Sequence, residues 1–237
     1  MLTRASPDNF SGPDPLWRDV LNSHQTRPFH VMIGGGDQIY NDAVMVQSAR
    51  FRDWLEIKNP RHKHDADFDI SLQEELETFY LERYSMWFSQ GLFGMANSQI
   101  PMVNMWDDHG RPLYSIPPFS LLFLLLCMRI VMLISKTVNS LADTSLKDII
   151  DGYGSYPHHF MSTRVFCGLG AVAFKYYMLF QHQSVPDEGT SDEPSWLMGA
   201  APGPYINELS RSVFVSLGKN IALLALDCRT ERMVSPP

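Results

Sequence analysis

The chain has 237 residues, 45% of them hydrophobic, and a formal charge of −7. That is enough for one sizeable core, or for one domain with additions. An acidic balance without a long basic run excludes a general nucleic-acid binder, which draws on clustered Lys and Arg, yet such a protein can handle phosphate where metal ions supply local positive charge.

Residues 1–27 read as a lead-in, polar and rich in Pro and Asp, with one short amphipathic piece, "LWRDVLN". It has no apolar stretch of the kind that a secretory signal carries, so an intracellular location is favoured. Phe29 to Ile33 is a short strand-forming run that ends in Gly34, Gly35, Gly36 and then Asp37. Residues 43 to 57 have helical character, and "NPRHKHDADFD" reads as a solvated polar loop rather than a metal tract. Ser71 and Glu74 form a capping box before an apolar stripe from Leu72 to Phe88, which predicts a helix over 71–90 ended by Gly91 and Gly94.

"QIPMVNMW" is a second short strand, and it too runs into acids, Asp107 and Asp108. Buried strands that deliver polar side chains from their C-terminal ends gather them at one rim of an α/β sheet, where ligands bind. Beyond lies Phe119 to Ile134, an oily run of 16 residues with Arg129 inside it. A spanning helix needs about 20 apolar residues, and a central Arg costs roughly 2.5–3.5 kcal/mol on insertion. Membrane association is therefore possible but not favoured.

Residues 158 to 183 read as a helix with an aromatic buried face, and "SVPDEGTSDEPSWLMGAAPGP" as a loop. "SVFVSLGKNIALLALD" predicts a hairpin turning at Gly218, Lys219 and Asn220, whose second strand delivers Asp227 and then Arg229. Cys127, Cys167 and Cys228 are too widely spaced for a zinc knuckle or a disulfide framework, and read as reduced, mostly buried thiols.

The chemistry concentrates in "GGGDQIYND" and "WDDH". Asp37 is a hard oxygen ligand, and Tyr40 can join it as a phenolate on a metal acidic enough to deprotonate it, as ferric iron is. The glycines allow a tight backbone turn beside the ion. Asp108 can hold a second cation. His109 can hydrogen-bond a phosphate oxygen or protonate a leaving group, with Asp107 beside it. Two cations about 3.5–4 Å apart could activate water for in-line attack on phosphorus. His158 and His159 follow "GYGSYP", and His158 is a weak candidate for orienting substrate. The glycines at 34–36 form no P-loop, since no Lys-Ser/Thr follows.

Together, "GGGDQIY" and "WDDH…DIIDGYGSYP" resemble the PhoD-like metallophosphatases in their fungal form. The resemblance implies a metal-dependent phosphoric-ester hydrolase using iron with calcium or another divalent cation. Its fold would be of α/β (α+β) type, a β-sandwich flanked by helices. It makes Asp37 the bridging ligand, Tyr40 the iron ligand, Asp108 a second-site ligand and His109 a transition-state donor. "LALDCRTER" resembles a later segment of the family, which adds Asp227 as a weaker metal candidate and Arg229 as a weaker substrate candidate. The resemblance covers most of residues 14–109 and 148–233, with 28–109 and 148–237 read as a partial domain, and in the family "WDDH" runs directly into "DIIDGYGSYP". Residues 110–147 therefore read as an inserted hydrophobic segment, such as a retained intron would encode. No early ligand motif stands before residue 28, and the family's paired C-terminal histidines are not seen. The expectation is an incomplete domain of weak activity; the alternatives are a non-catalytic remnant and a small membrane-associated protein anchored by 119–134.

Overall fold

The structure is a computed structural model that describes residues 15–36, 38, 39, 41, 43–106, 162–184, 195–204 and 206–231. Its content is mixed helix and strand, as expected. The elements run α1 (Pro15–Thr26), β1 (Met32–Gly34), α2 (Val44–Gln47), α3 (Ala49–Glu56), α4 (Pro60–Asp65), α5 (Ile70–Ser89), α6 (Gly91–Asn97), β2 (Met102–Asn104), α7 (Arg164–His182), β3 (Trp196–Pro202), β4 (Leu209–Ser216) and β5 (Ala222–Ala225). The inserted segment proposed at 110–147 lies outside the described residues.

Helix α5 buries Leu72, Leu76, Phe79, Tyr80, Tyr84 and Trp87, the helical stripe that the sequence shows. It begins one residue earlier than expected, because Asp69 rather than Ser71 caps it: the Asp69 carboxylate accepts from the Leu72 N–H at 2.7 Å. Gly91 does not simply end this helix. Its φ of 70° turns the chain straight into α6, whose Phe93 packs edge-on against Trp17 of α1 and Trp87 of α5. The lead-in thus contributes Trp17 and Leu21 to the core.

The polar stretch after residue 58 is a short helix rather than a loop. Asn59 caps it by accepting from the N–H groups of Arg61 and His62, and Pro60 suits its first turn. Lys63 is drawn in beneath Trp54, its ammonium 4.9 Å from the ring centroid and donating to the Leu55 carbonyl at 2.7 Å. His62 and His64 remain exposed.

Helix α7 packs along α5, with Tyr84 stacked on Phe180 and Tyr80 on Tyr176. Thr163 caps its start, and Gln183 in the left-handed region closes its end. Strands β1 and β2 pair in parallel, Met32 with Met102 through Gly34 with Asn104. Strands β3, β4 and β5 form a second, antiparallel sheet. The hairpin β4–β5 is the expected one, with Gly218 at φ 125° in its turn. Strand β3 occupies the end of a stretch expected to be loop; Gly199 and Pro202 hide it from a period count, and its pairing with β4 is broken by an irregularity between Met198 and Pro202. Cys167 is half-buried, and Cys228 is exposed rather than buried. Among the described residues no helix is long and apolar enough to cross a membrane; residues 119–134 are not among them.

Candidate metal centre at the shared edge of the parallel strands

Parallel pairing sends the chain out of β1 and β2 at the same edge. Asp37 follows Gly34 by three residues, and Asp107 and Asp108 follow Asn104 by three and four. Asp37, Tyr40, Asp107, Asp108, His109 and His158 themselves lie outside the described residues. The structure gives the edge from which five of them depart and the side chains that floor it.

Gly34 makes that floor possible. A Cβ there would lie 2.3 Å from Asn104 Oδ1 and 2.9 Å from Gln38 Cγ, so its absence lets both amide side chains close over the end of β1. Gly36, at φ 130°, then turns the chain. Asn104 Oδ1 and Gln38 Oε1 are buried and have no hydrogen-bond partner among the described residues. A buried acceptor without a donor is costly. Two of them at one strand edge fit a hard cation, or a water in its shell, since such ions take oxygen ligands. The donor set expected from Asp37, Tyr40 and Asp108 is of the same hard-oxygen kind. Among the described residues no three His, Cys, Asp or Glu side chains group as metal ligands would.

Beneath the edge runs a buried polar network. Gln38 Nε2 donates to the Met105 carbonyl at 2.9 Å and to Gln181 Oε1 at 3.3 Å. Gln181 Nε2 donates in turn to the Tyr84 hydroxyl at 3.3 Å. The Tyr177 hydroxyl lies 2.6 Å from His182 Nε2 and 3.5 Å from the Asn104 carbonyl. With one proton to give, it serves the shorter contact better, while it accepts from the Trp106 N–H. The His182 ring also hydrogen-bonds the Asn104 backbone. Burial first, and the nearby Arg211 charge second, push the His182 pKa down to about 4. Burial, then the Asp227 and Tyr84 charges, hold Tyr177 well above the usual tyrosine value. Both groups are therefore neutral at neutral pH.

Asp227 is described, 6% exposed, and fully engaged. Its Oδ1 accepts from the N–H groups of Arg229 and Thr230 at 3.1 and 3.0 Å. Its Oδ2 accepts from the Arg211 N–H at 3.1 Å and the Thr230 hydroxyl at 2.6 Å. A carboxylate offers about four lone-pair sites, and these four donors engage both oxygens of Asp227 and pin the loop after β5. Arg229 is half-buried beside it. The Arg211 side chain is 3% exposed, with its guanidinium carbon 5.4 Å over the Phe174 ring.

The sequence reading passed over Gln38, Asn104, Tyr177, Gln181, His182 and Arg211. Asn104 had a local signal, a polar residue closing an apolar strand. Gln38 lies within the glycine motif beside Asp37, and the remaining four face the edge only through tertiary packing.

The chain matches the PhoD-related phosphatase family over residues 4–112 and 135–235. The gap, 113–134, falls within the interval read as an insertion and holds the whole oily run; residues 110–112 and 135–147 lie within the match. The chain is also 34% identical, over 238 aligned residues, to the uncharacterized protein YGR266W of Saccharomyces cerevisiae. That alignment takes in 92% of this chain and 28% of the yeast protein, so the chain spans little more than a quarter of its relative's length. No solved structure matches.

Proposed function

The chain belongs to the PhoD-related phosphatase family, and on that premise we propose that it is a metal-dependent phosphoric-ester hydrolase whose centre forms at the shared edge of β1 and β2. The observation that carries the reading is the parallel register of Gly34 with Asn104, which brings β1 and β2 to the same edge three residues before Asp37 and Asp107 in the sequence. In this reading Asp37, Tyr40 and Asp108 hold the ions, iron with calcium or another divalent cation. The ions supply Lewis acidity and a low-pKa bound water. His109, with Asp107 beside it, donates to the phosphoryl oxygens or to the leaving group. Asp227 acts by fixing the loop that carries Arg229, a candidate phosphate contact, and His158 is a candidate for orienting the ester. The two sheets are parts of a metallophosphatase β-sandwich flanked by helices, and residues 113–134 are an insertion into it. Turnover of an aryl phosphate ester by the full chain, with Mn²⁺ or with iron and Ca²⁺ added, tests the proposal. Turnover should depend on metal and disappear in Asp37→Ala; metal-independent turnover that survives Asp37→Ala would refute it.

A further inference from the structure

Resting on that reading, we infer that the last turn of α7 is the positioning device for the two strand exits that lead to the proposed acids, with Gln181 acting on Gln38 and His182 on the Asn104 backbone. The Gln38 side-chain amide joins the two strand exits, because one Nε2 proton goes to the Met105 carbonyl and the other to Gln181 Oε1. Gln181 is itself held by the Tyr84 hydroxyl on α5. The orientation of Gln38, next in sequence to Asp37, is thus fixed from two helices. The other exit is held through its backbone. His182 meets the Asn104 backbone and the Tyr177 hydroxyl, and Tyr177 accepts from the Trp106 N–H, the residue before Asp107.

Two observations argue that this network does more than fill a polar core. Each branch that leaves α7 towards the strands ends on a residue within three positions of a proposed ligand or acid. Gln38 Oε1 and Asn104 Oδ1 have no donor among the described residues, so the network that holds Gln38 through its Nε2 and Asn104 through its backbone leaves one side-chain oxygen at each strand exit unengaged. Partners of this outer kind commonly change metal affinity by about 10–100-fold when removed.

The test uses the full chain. Gln181→Met keeps the length and apolar stem of Gln181 and removes both polar ends. Gln181→Glu keeps an oxygen for Gln38, and the Tyr84 hydroxyl can turn to donate to it. Hydrogen exchange over 35–39 and 104–106 reads the clamp without reference to metal, and calorimetric titration with Mn²⁺ reads its consequence. Gln181→Met should speed exchange in both stretches and weaken Mn²⁺ binding about tenfold or more, with Gln181→Glu restoring most of both. His182→Gln gives a second route, should Gln181→Met fold poorly, and should speed exchange at 104–106 alone. If exchange quickens only within α7 and Mn²⁺ affinity is unchanged, while Asp37→Ala abolishes binding, the clamp is wrong and the metal reading stands. If the unmodified chain binds no Mn²⁺, the proposed function fails and the positioning role falls with it, whatever the exchange shows.

Discussion

His182 should make this protein acid-sensitive in a range set by its burial. In the folded chain its pKa lies at about 4, against 6.5 for the free side chain. Between those values the unfolded chain takes up a proton that the folded chain refuses, so stability falls as pH falls. The contribution is complete above about pH 6.5 and is lost by about pH 4. Each pH unit of separation is worth about 1.4 kcal/mol, so the whole loss is about 3 kcal/mol at most. The physical cause is the buried ring, set between Tyr177 and Trp196 with centroids 4.9 Å from each, with Arg211 near enough to oppose a second positive charge. His182→Phe keeps a ring in that place and removes the titration. Urea unfolding of both proteins at pH 7, 6, 5 and 4.5 gives two stability curves, and the carboxylates they share cancel in the difference. The variant should be less stable at pH 7, where Tyr177 loses its partner, and the gap should narrow steadily towards pH 4.5. Curves that stay parallel across the range would refute the assignment of a buried, neutral His182.

Gly168→Ala should destabilise the fold by about 1–2 kcal/mol in chemical denaturation, although alanine is the better helix former by about 1 kcal/mol; its Cβ would meet the Phe68 ring at 2.5 Å, and overpacking of that kind costs about 1–3 kcal/mol. Asp227→Ala should cost about 3 kcal/mol, since it strips acceptors from four donors of which three belong to buried residues; unchanged stability with lost Mn²⁺ binding would make the carboxylate a ligand instead. Deleting residues 113–134, the stretch that the family match passes over, should leave a cooperative melt and metal-dependent turnover no lower than in the full chain; an insoluble or non-cooperative product would mark the segment as part of the fold.

What the sequence made legible were features whose cause is local. The period of α5 shows because one face meets the core at every turn. The hairpin shows because a glycine with positive φ separates two strand-forming runs. The shared edge of β1 and β2 was legible as two apolar runs that each end in polar residues, although the parallel register that joins them is a long-range fact. Strand β3 was not legible, because its reason to be extended lies elsewhere. Gly199 admits the Ser210 hydroxyl and the Glu231 carboxylate where a Cβ would stand 2.5 and 2.4 Å away, so the residue that spoils the strand pattern is the one the packing requires. The surroundings of Asp227 were not legible for a related reason. An acid at the end of a strand has the pattern of a ligand, but whether its lone pairs are free depends on Thr230 after it and on Arg211 across the sheet.

The same distinction separates the acids of the proposed centre from their supports. Asp37, Asp107 and Asp108 stand out because each lies just beyond a short strand, and a carboxylate in that position is conspicuous in any window that includes it. Gln38 is held by Gln181, which lies 143 positions away, and the Asn104 carbonyl is approached by Tyr177 from 73 positions away. No window of sequence contains either pair, and neither residue type is unusual on a helix. Their importance comes from burial: a polar side chain withdrawn from water must find partners or destabilise the fold, and here the nearest partners are the backbone and side-chain atoms at the two strand exits. The requirement that α7 satisfy its own buried polar groups is therefore what ties the helix to the loops. A change at Gln181 should be felt at Gln38 first, because Gln38 loses the acceptor for one of its two protons and becomes free to turn towards the edge where its own oxygen has no donor.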